Sequence, residues 1–311
     1  MTSAILSKPL PYLALIIAHL IWGVNFVVVK ITLEEFPPMS LAFLRFALAS
    51  LFLAPFFLSQ TKKIPIAKKD IPRFIAVGIL IVTLNITFFF EGMIRTSAIN
   101  ASVLTLIIPA LSVLLGWFFL KEKIYLINLV GILVGLLGAL IIIEVPQLIL
   151  GIYSPTILVG NILIILASTF WIIGAIISRG LLKKYPSLSV TAVAFMVGVV
   201  TFFIPAAREY FQNPAWPGNI SLIGLLGLAF MTLLSSISAY FLFEWGLAKT
   251  SVNKADLFQY IEPFIASFLA VLILGEKITP PFLFGSAIIV LGVYLGTLAK
   301  EAHHRHKIHR V

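Results

Sequence analysis

Leu120-Lys121-Glu122-Lys123-Ile124 returns 154 residues later as Leu274-Gly275-Glu276-Lys277-Ile278. The register holds on both sides: Thr96-Ser97 falls on Thr250-Ser251, Ala101 on Ala255, Pro109 on Pro263, and Gly131 and Gly138 on Gly285 and Gly292. Between 92–138 and 246–292 there are 15 identities in 47 positions, where composition alone gives about 4. The match at the front is thinner, with Ala18 and Trp22 over Ala167 and Trp171 at an offset of 149. The chain is a duplication, and each copy holds five long apolar runs. A unit of five membrane crossings starts on one face and finishes on the other, so its copy must enter upside down. Glu122 is then expected at one face and Glu276 at the opposite one. Halves inverted in this way are a recurring plan of secondary transporters, because exchanging their conformations exposes one central site to each side in turn.

Composition supports the crossings. Soluble domains carry about 25% charged residues, whereas these 311 residues carry 11%, with 60% hydrophobic residues and a mean hydropathy of +1.11. Continuous rather than alternating apolar runs exclude a β-barrel, and the lack of charge excludes disorder. At about 20 residues per crossing, spans are expected over 11–30, 39–59, 72–90, 97–120, 124–143, 157–178, 188–207, 220–243, 251–274 and 280–299. The first is not a cleaved leader, since its apolar core is too long and Lys30-Ile31-Thr32-Leu33-Glu34 offers no small-residue cleavage site. The expected fold is an all-α membrane protein of ten transmembrane helices, as two inverted five-helix repeats over 11–144 and 157–299, with a basic tail over 300–311.

Charge distribution orients the chain. The net charge of +10 would suit nucleic acid, but the loops hold most of the charge, where the membrane explains it better. One side receives 17 Lys and Arg residues and the other 4, namely Lys30, Arg95, Arg208 and Lys277, with Arg45 inside a span. Basic loops stay in the cytoplasm, so both termini are expected there, in a multi-pass protein of the cell membrane. Cysteine is absent, which removes disulfides, thiolate metal sites and thiol nucleophiles.

Leu20-Ile21-Trp22-Gly23-Val24-Asn25-Phe26 in the first span and Arg45-Phe46 in the second resemble the opening of an EamA-type repeat. So do Ala101-Ser102, Pro109 and Leu120-Lys121-Glu122, with their second copy ending at Gly275-Glu276. The pattern is similar to the EamA branch of the drug/metabolite transporter superfamily and covers essentially the whole chain as two repeats. That resemblance implies the ten-helix fold and a small-molecule permease, often an exporter of amino acids or related metabolites. In the second repeat the opening has decayed to Trp171-Ile172-Ile173-Gly174-Ala175, and no clear arginine matches Arg45. The two halves are therefore expected to contribute unequally to a site.

An ionisable side chain within a span is costly unless it is paired, protonated or facing water. Glu262 lies near the middle of the ninth span, immediately before Pro263, which removes a helix donor and frees a carbonyl near Gln259. Asp256, Gln259, Tyr260 and Pro263 form one polar stripe at helical spacing. Glu262 is either a cavity acid carrying a coupling proton or binding an amine, or a protonated acid tying two helices together. Arg45 either meets a substrate carboxylate, or snorkels to headgroups or pairs with Glu91 or Glu34. Trp22 and Trp171 are expected to wall a cavity, with an indole N–H to offer, unless they only pack helices. Asn25, Asn85 and Tyr240 are weaker cavity candidates, because such residues commonly join helices. His19 reads as a hydrogen-bonded core histidine, and the tail histidines 303, 304, 306 and 309 as part of a solvated basic segment touching anionic lipid.

Pro109 and Pro263 are expected to kink equivalent helices, and the Gly131, Gly135, Gly138 and Gly285, Gly292, Gly296 series to form seams within the protein or at a homodimer face. The leading function is a secondary carrier that moves an amino acid or related metabolite, in the direction of efflux, with membrane lipid and a coupling proton as its other partners. It is expected to need no cofactor, metal or nucleic acid. Uptake of a nucleoside, sugar or amine is the alternative of the same class. An intramembrane enzyme is disfavoured: the sequence has no His-Glu-x-x-His, no serine-nucleophile motif and no pair of intramembrane aspartates. A channel stays open on sequence alone.

Overall fold

A computed structural model describes residues 9–108, 111, 115, 126–142, 154–250 and 256–308. Pro109, Lys121, Glu122 and Lys123 lie outside the described residues. No strand occurs among the described residues. The helical segments are α1 (Pro9–Thr32), α2 (Pro38–Lys63), α3 (Lys68–Arg95), α4 (Ala98–Ile107), α5 (Leu126–Ile142), α6 (Pro155–Leu182), α7 (Ser187–Gln212), α8 (Leu222–Lys249), α9 (Phe258–Leu274) and α10 (Pro280–Ile308). Six of them (α1, α2, α3, α6, α7 and α8) are long and apolar enough to cross a membrane, with 23 to 28 residues each. Shorter apolar helices cover 98–107, 129–142, 258–274 and 280–292. Several helices overrun the expected spans, mainly at their C-terminal ends: α2 runs to Lys63, α3 to Arg95, α6 to Leu182, α7 to Gln212 and α8 to Lys249. Pro38 and Pro155 occupy the first turn, where a missing N–H costs nothing. Ser221 Oγ accepts from Ile223 and Gly224 N at the start of α8. The helix α10 continues into the basic tail, through Ile308.

The outside of the bundle is apolar. Leu51, Phe56, Val200, Phe203, Phe264 and Phe268 are all at least 55% exposed, a surface suited to acyl chains rather than water. Contacts fix the direction of each helix. Lys30 meets Met93 and Thr96 while Phe26 meets Phe89, so α1 and α3 run parallel. Asn85 bonds Ala167 and Gly92 faces Gly160, so α6 runs against α3 and hence against α1. Phe46 meets Phe195 and Phe202 while Ser40 meets Glu209, so α2 and α7 are antiparallel. Gly246 lies on Leu15 and Tyr240 on Trp22, which sets α8 against α1. Tyr12 with Phe258 and His19 with Glu262 set α9 parallel to α1, and Glu276 beyond the end of α9 reaches the start of α4. Every repeat-related pair of helices therefore runs in opposite directions.

The glycines of α5 and α10 form a seam inside the protein. A Cβ at Gly138 would lie 2.6 Å from Gly285 O and 2.7 Å from Ile289 N, and one at Gly285 would lie 2.8 Å from Gly138 O. Backbone cannot yield as a side-chain tip can. Gly138→Leu is expected to lower thermal stability in detergent by about 1–3 kcal/mol, whereas Gly135→Ala, which meets nothing within 4 Å, leaves it nearly unchanged.

Polar ties at the ends of the bundle complete the frame. Glu209 accepts from Met39 N, Ser40 N and Ser40 Oγ at 3.0, 2.6 and 2.8 Å, placing a carboxylate on the start of α2. In the connection between α1 and α2, Glu35 accepts from Ser221 Oγ and N. Those bonds hold its carboxyl below the usual carboxylate range. The tie is thus complete above the ordinary value and is lost only as pH falls through the lowered one.

A central cavity lined by both repeats

The two repeats meet around a cavity whose empty space, open mouth included, is about 630 Å³. Repeat-related residues line it in pairs: Trp22 with Trp171, His19 with Ser168, Thr105 with Gln259, Ile108 with Glu262, and Ile86 with Tyr240. The symmetry axis therefore passes through the cavity. The chemistry of the two halves is uneven, since the histidine, the glutamine, the glutamate and the tyrosine each correspond in the other repeat to a smaller or less polar residue.

One wall is aromatic. Trp22, Trp171 and Tyr240 stand nearly perpendicular to one another, with ring centroids 5.3 to 5.6 Å apart. These edge-to-face contacts make a rigid packed surface. The indole of Trp22 donates to Ser235 O at 3.1 Å, so this N–H belongs to the scaffold and not, as expected from sequence, to a ligand. Asn85 is both expected things at once: it lines the cavity and donates to Ala167 O at 2.9 Å across the α3–α6 contact. Asn25 lines the cavity too, and its Oδ1 has no partner among the described residues.

Arg45 neither snorkels nor pairs with Glu91 or Glu34. It is 1% exposed, donates from Nε to Ser236 Oγ at 2.5 Å and from Nη2 to Ser235 Oγ at 3.1 Å, and has Nη1 without a partner among the described residues. Glu91 is instead tied to Arg95 one turn along its own helix. Two consecutive serines reach one guanidinium because Met231–Ser238 is wound as a π-helix. Its wider turn brings successive side chains toward the same face, as an α-helix would not. A matching π-stretch, Gly78–Leu84, occupies the equivalent place in α3.

Glu262 faces the cavity, 4% exposed, and shares a 2.6 Å hydrogen bond with His19 Nδ1. His19 is the hydrogen-bonded buried histidine expected, but it also lines the cavity, with Nε2 unpartnered among the described residues. Its partner is 243 residues away, so no local spacing announces the pair. Asp256–Tyr260 is wound as a 3₁₀ helix that turns into an α-helix at Ile261. Pro263 lies in the first turn of that α-stretch, at the change from 3₁₀ to α winding within α9. Three residues per turn put Gln259 and Glu262 on one face, and both line the cavity. Tyr260, assigned to the stripe by α-helical spacing, packs instead against the hydrophobic core. No group of three His, Cys, Asp or Glu poised for a metal occurs among the described residues. Sequence reasoning missed Ser235, Ser236 and the role of His19, together with buried Glu244, which accepts from Ser178 Oγ.

The profile of the EamA-like transporter family matches residues 9–144 and 158–298. An uncharacterized transporter of Archaeoglobus fulgidus is 30% identical, over 93% of this chain and 98% of its own. A probable amino-acid metabolite efflux pump of Salmonella typhimurium is 24% identical, over 91% of this chain and 93% of its own. A solved crystal structure with 18% identity superposes with a TM-score of 0.63, over 93% of this chain and 97% of that one.

Proposed function

Because the chain belongs to the EamA-like transporter family, a family of membrane transporters rather than enzymes, we propose that it is a secondary carrier exporting an amino acid or a related metabolite by alternating access. Ten crossings in two inverted halves, with both termini in the cytoplasm, are part of this reading. The antiparallel repeat-related helices and the surplus of basic residues on one side support it. The observation that carries the substrate class is Arg45. An arginine keeps its charge at any working pH, and a buried charge without a counter-ion is costly. A ligand carboxylate on the open Nη1 supplies that counter-ion. Asn25 Oδ1 and Glu262 supply acceptors for an ammonium, and the aromatic wall supplies apolar contact. The His19–Glu262 pair carries the coupling proton. Related proteins named as probable amino-acid metabolite efflux pumps agree with this class.

Thermal unfolding of the purified protein tests it. Amino acids are expected to raise the melting temperature, since a ligand at 100 times its Kd adds about 2.7 kcal/mol to the folded state. Their carboxamides, nucleosides and simple amines are expected to leave it unchanged. Equal stabilisation by an amino acid and its amide would remove the carboxylate from the reading.

A further inference from the structure

Lys30 lies near the end of α1, and its Nζ donates to Met93 O at 2.5 Å and Thr96 O at 2.6 Å, the closing carbonyls of α3. The amides on the other side of the same short connection, Ala98 N and Ile99 N, donate to Glu276 at 2.7 and 2.9 Å. A cation on the carbonyl end and an anion on the amide end match the dipoles of both helices. Together they draw the ends of α1, α3, α4 and α9 to one point, and all four helices line the cavity.

The repeat places a second copy of this device at the other end. At the offset of 149 that superposes Trp22 on Trp171 and Phe36-Pro37 on Tyr185-Pro186, Lys30 falls on Arg179. At the offset of 154, Thr96 falls on Thr250. Arg179 Nη2 donates to Thr250 O at 3.4 Å. The same contact thus recurs between equivalent residues, cation to threonine carbonyl. Since α6 runs against α1, Arg179 and Lys30 stand at opposite ends of the bundle. Glu122, the copy of Glu276, lies outside the described residues. The two ends differ in strength: two short bonds at Lys30, one long bond at Arg179.

We infer that Lys30 and Arg179 are a matched pair of latches, one at each membrane face, and that the transport cycle releases them in turn. The inference rests on the alternating-access reading. Each latch ties the end of the third helix of its own half to the first, α3 to α1 at Lys30 and α8 to α6 at Arg179. Releasing it lets those two helix ends part and opens the cavity to that face alone. These are positioning residues: they set which side the cavity meets, without touching the substrate.

The chain has no cysteine, so a single thiol at a cavity position reports access without a background. Ser168→Cys, in right-side-out and in inverted vesicles, is labelled with a charged, membrane-impermeant methanethiosulfonate. Lys30→Met is expected to raise the labelling rate from the Lys30 face about fivefold or more and to lower it from the other face. Arg179→Met does the reverse, and Lys30→Arg, which keeps a cation on both carbonyls, retains the parent pattern. Both variants shifting access the same way, or loosening both faces equally, or changing neither, overturns the latches alone. Parent protein labelled from one face only, whatever substrate is added, overturns alternating access and the latches with it.

Discussion

Vesicles carrying Glu262→Gln move no more substrate under an imposed pH gradient than they do without one, while the purified variant still binds substrate and unfolds within about 1 kcal/mol of the parent. The expectation follows from the cavity's inventory. Among the described residues, its ionisable lining groups are His19 on α1, Arg45 on α2, Tyr240 on α8 and Glu262 on α9. Only the bonded carboxyl and imidazole can hand a proton across without leaving an arginine or a phenol uncharged or charged out of turn. Glutamine keeps the volume and a hydrogen bond to His19 at 2.6 Å separation, but it cannot take up or release a proton. Substrate exchange with no pH gradient therefore persists, and the gradient-driven part disappears. Undiminished pH-driven flux would take residue 262 out of the coupling mechanism and leave it a tie between α1 and α9.

Arg45→Lys is expected to weaken binding of carboxylate-bearing substrates selectively, by about 2–5 kcal/mol, or roughly 30-fold to several thousand-fold. The guanidinium donates to Ser236 from Nε and to Ser235 from Nη2, which leaves Nη1 for the proposed carboxylate. An ammonium is a point charge on a flexible stem and cannot reproduce that fork. Direct titration with an amino acid and with its amide, at matched pH, separates the effects. Equal loss for both ligands with a lowered melting temperature would make Arg45 a structural strut.

The outline of the fold is open to reading in the sequence because lipid allows so few solutions. Long apolar runs must be helices, and Glu122-Lys123-Ile124 recurring at Glu276-Lys277-Ile278 gives the duplication outright. Most of the cavity was legible for the same reason: a buried ionisable residue needs an explanation, which singles out Arg45 and Glu262. What escaped was set by contacts between distant segments or by helices of unusual pitch. Nothing near His19 points to Glu262. Ser235 and Ser236 share a partner only because the turn there is wide, and Tyr260 leaves the stripe only because the turn before it is tight.

Residues beside an internal axis of symmetry meet their own copies. In a chain duplicated without change, an acid at the place of Glu262 would confront a second acid at the place of Ile108, and the histidines at 19 and 168 would crowd the same space. Two carboxyl groups facing each other in a dry chamber repel, so one keeps its proton and neither can titrate alone. Unlike halves of one chain avoid this self-confrontation: Glu262 keeps its acid where the equivalent place in the other half holds the apolar Ile108.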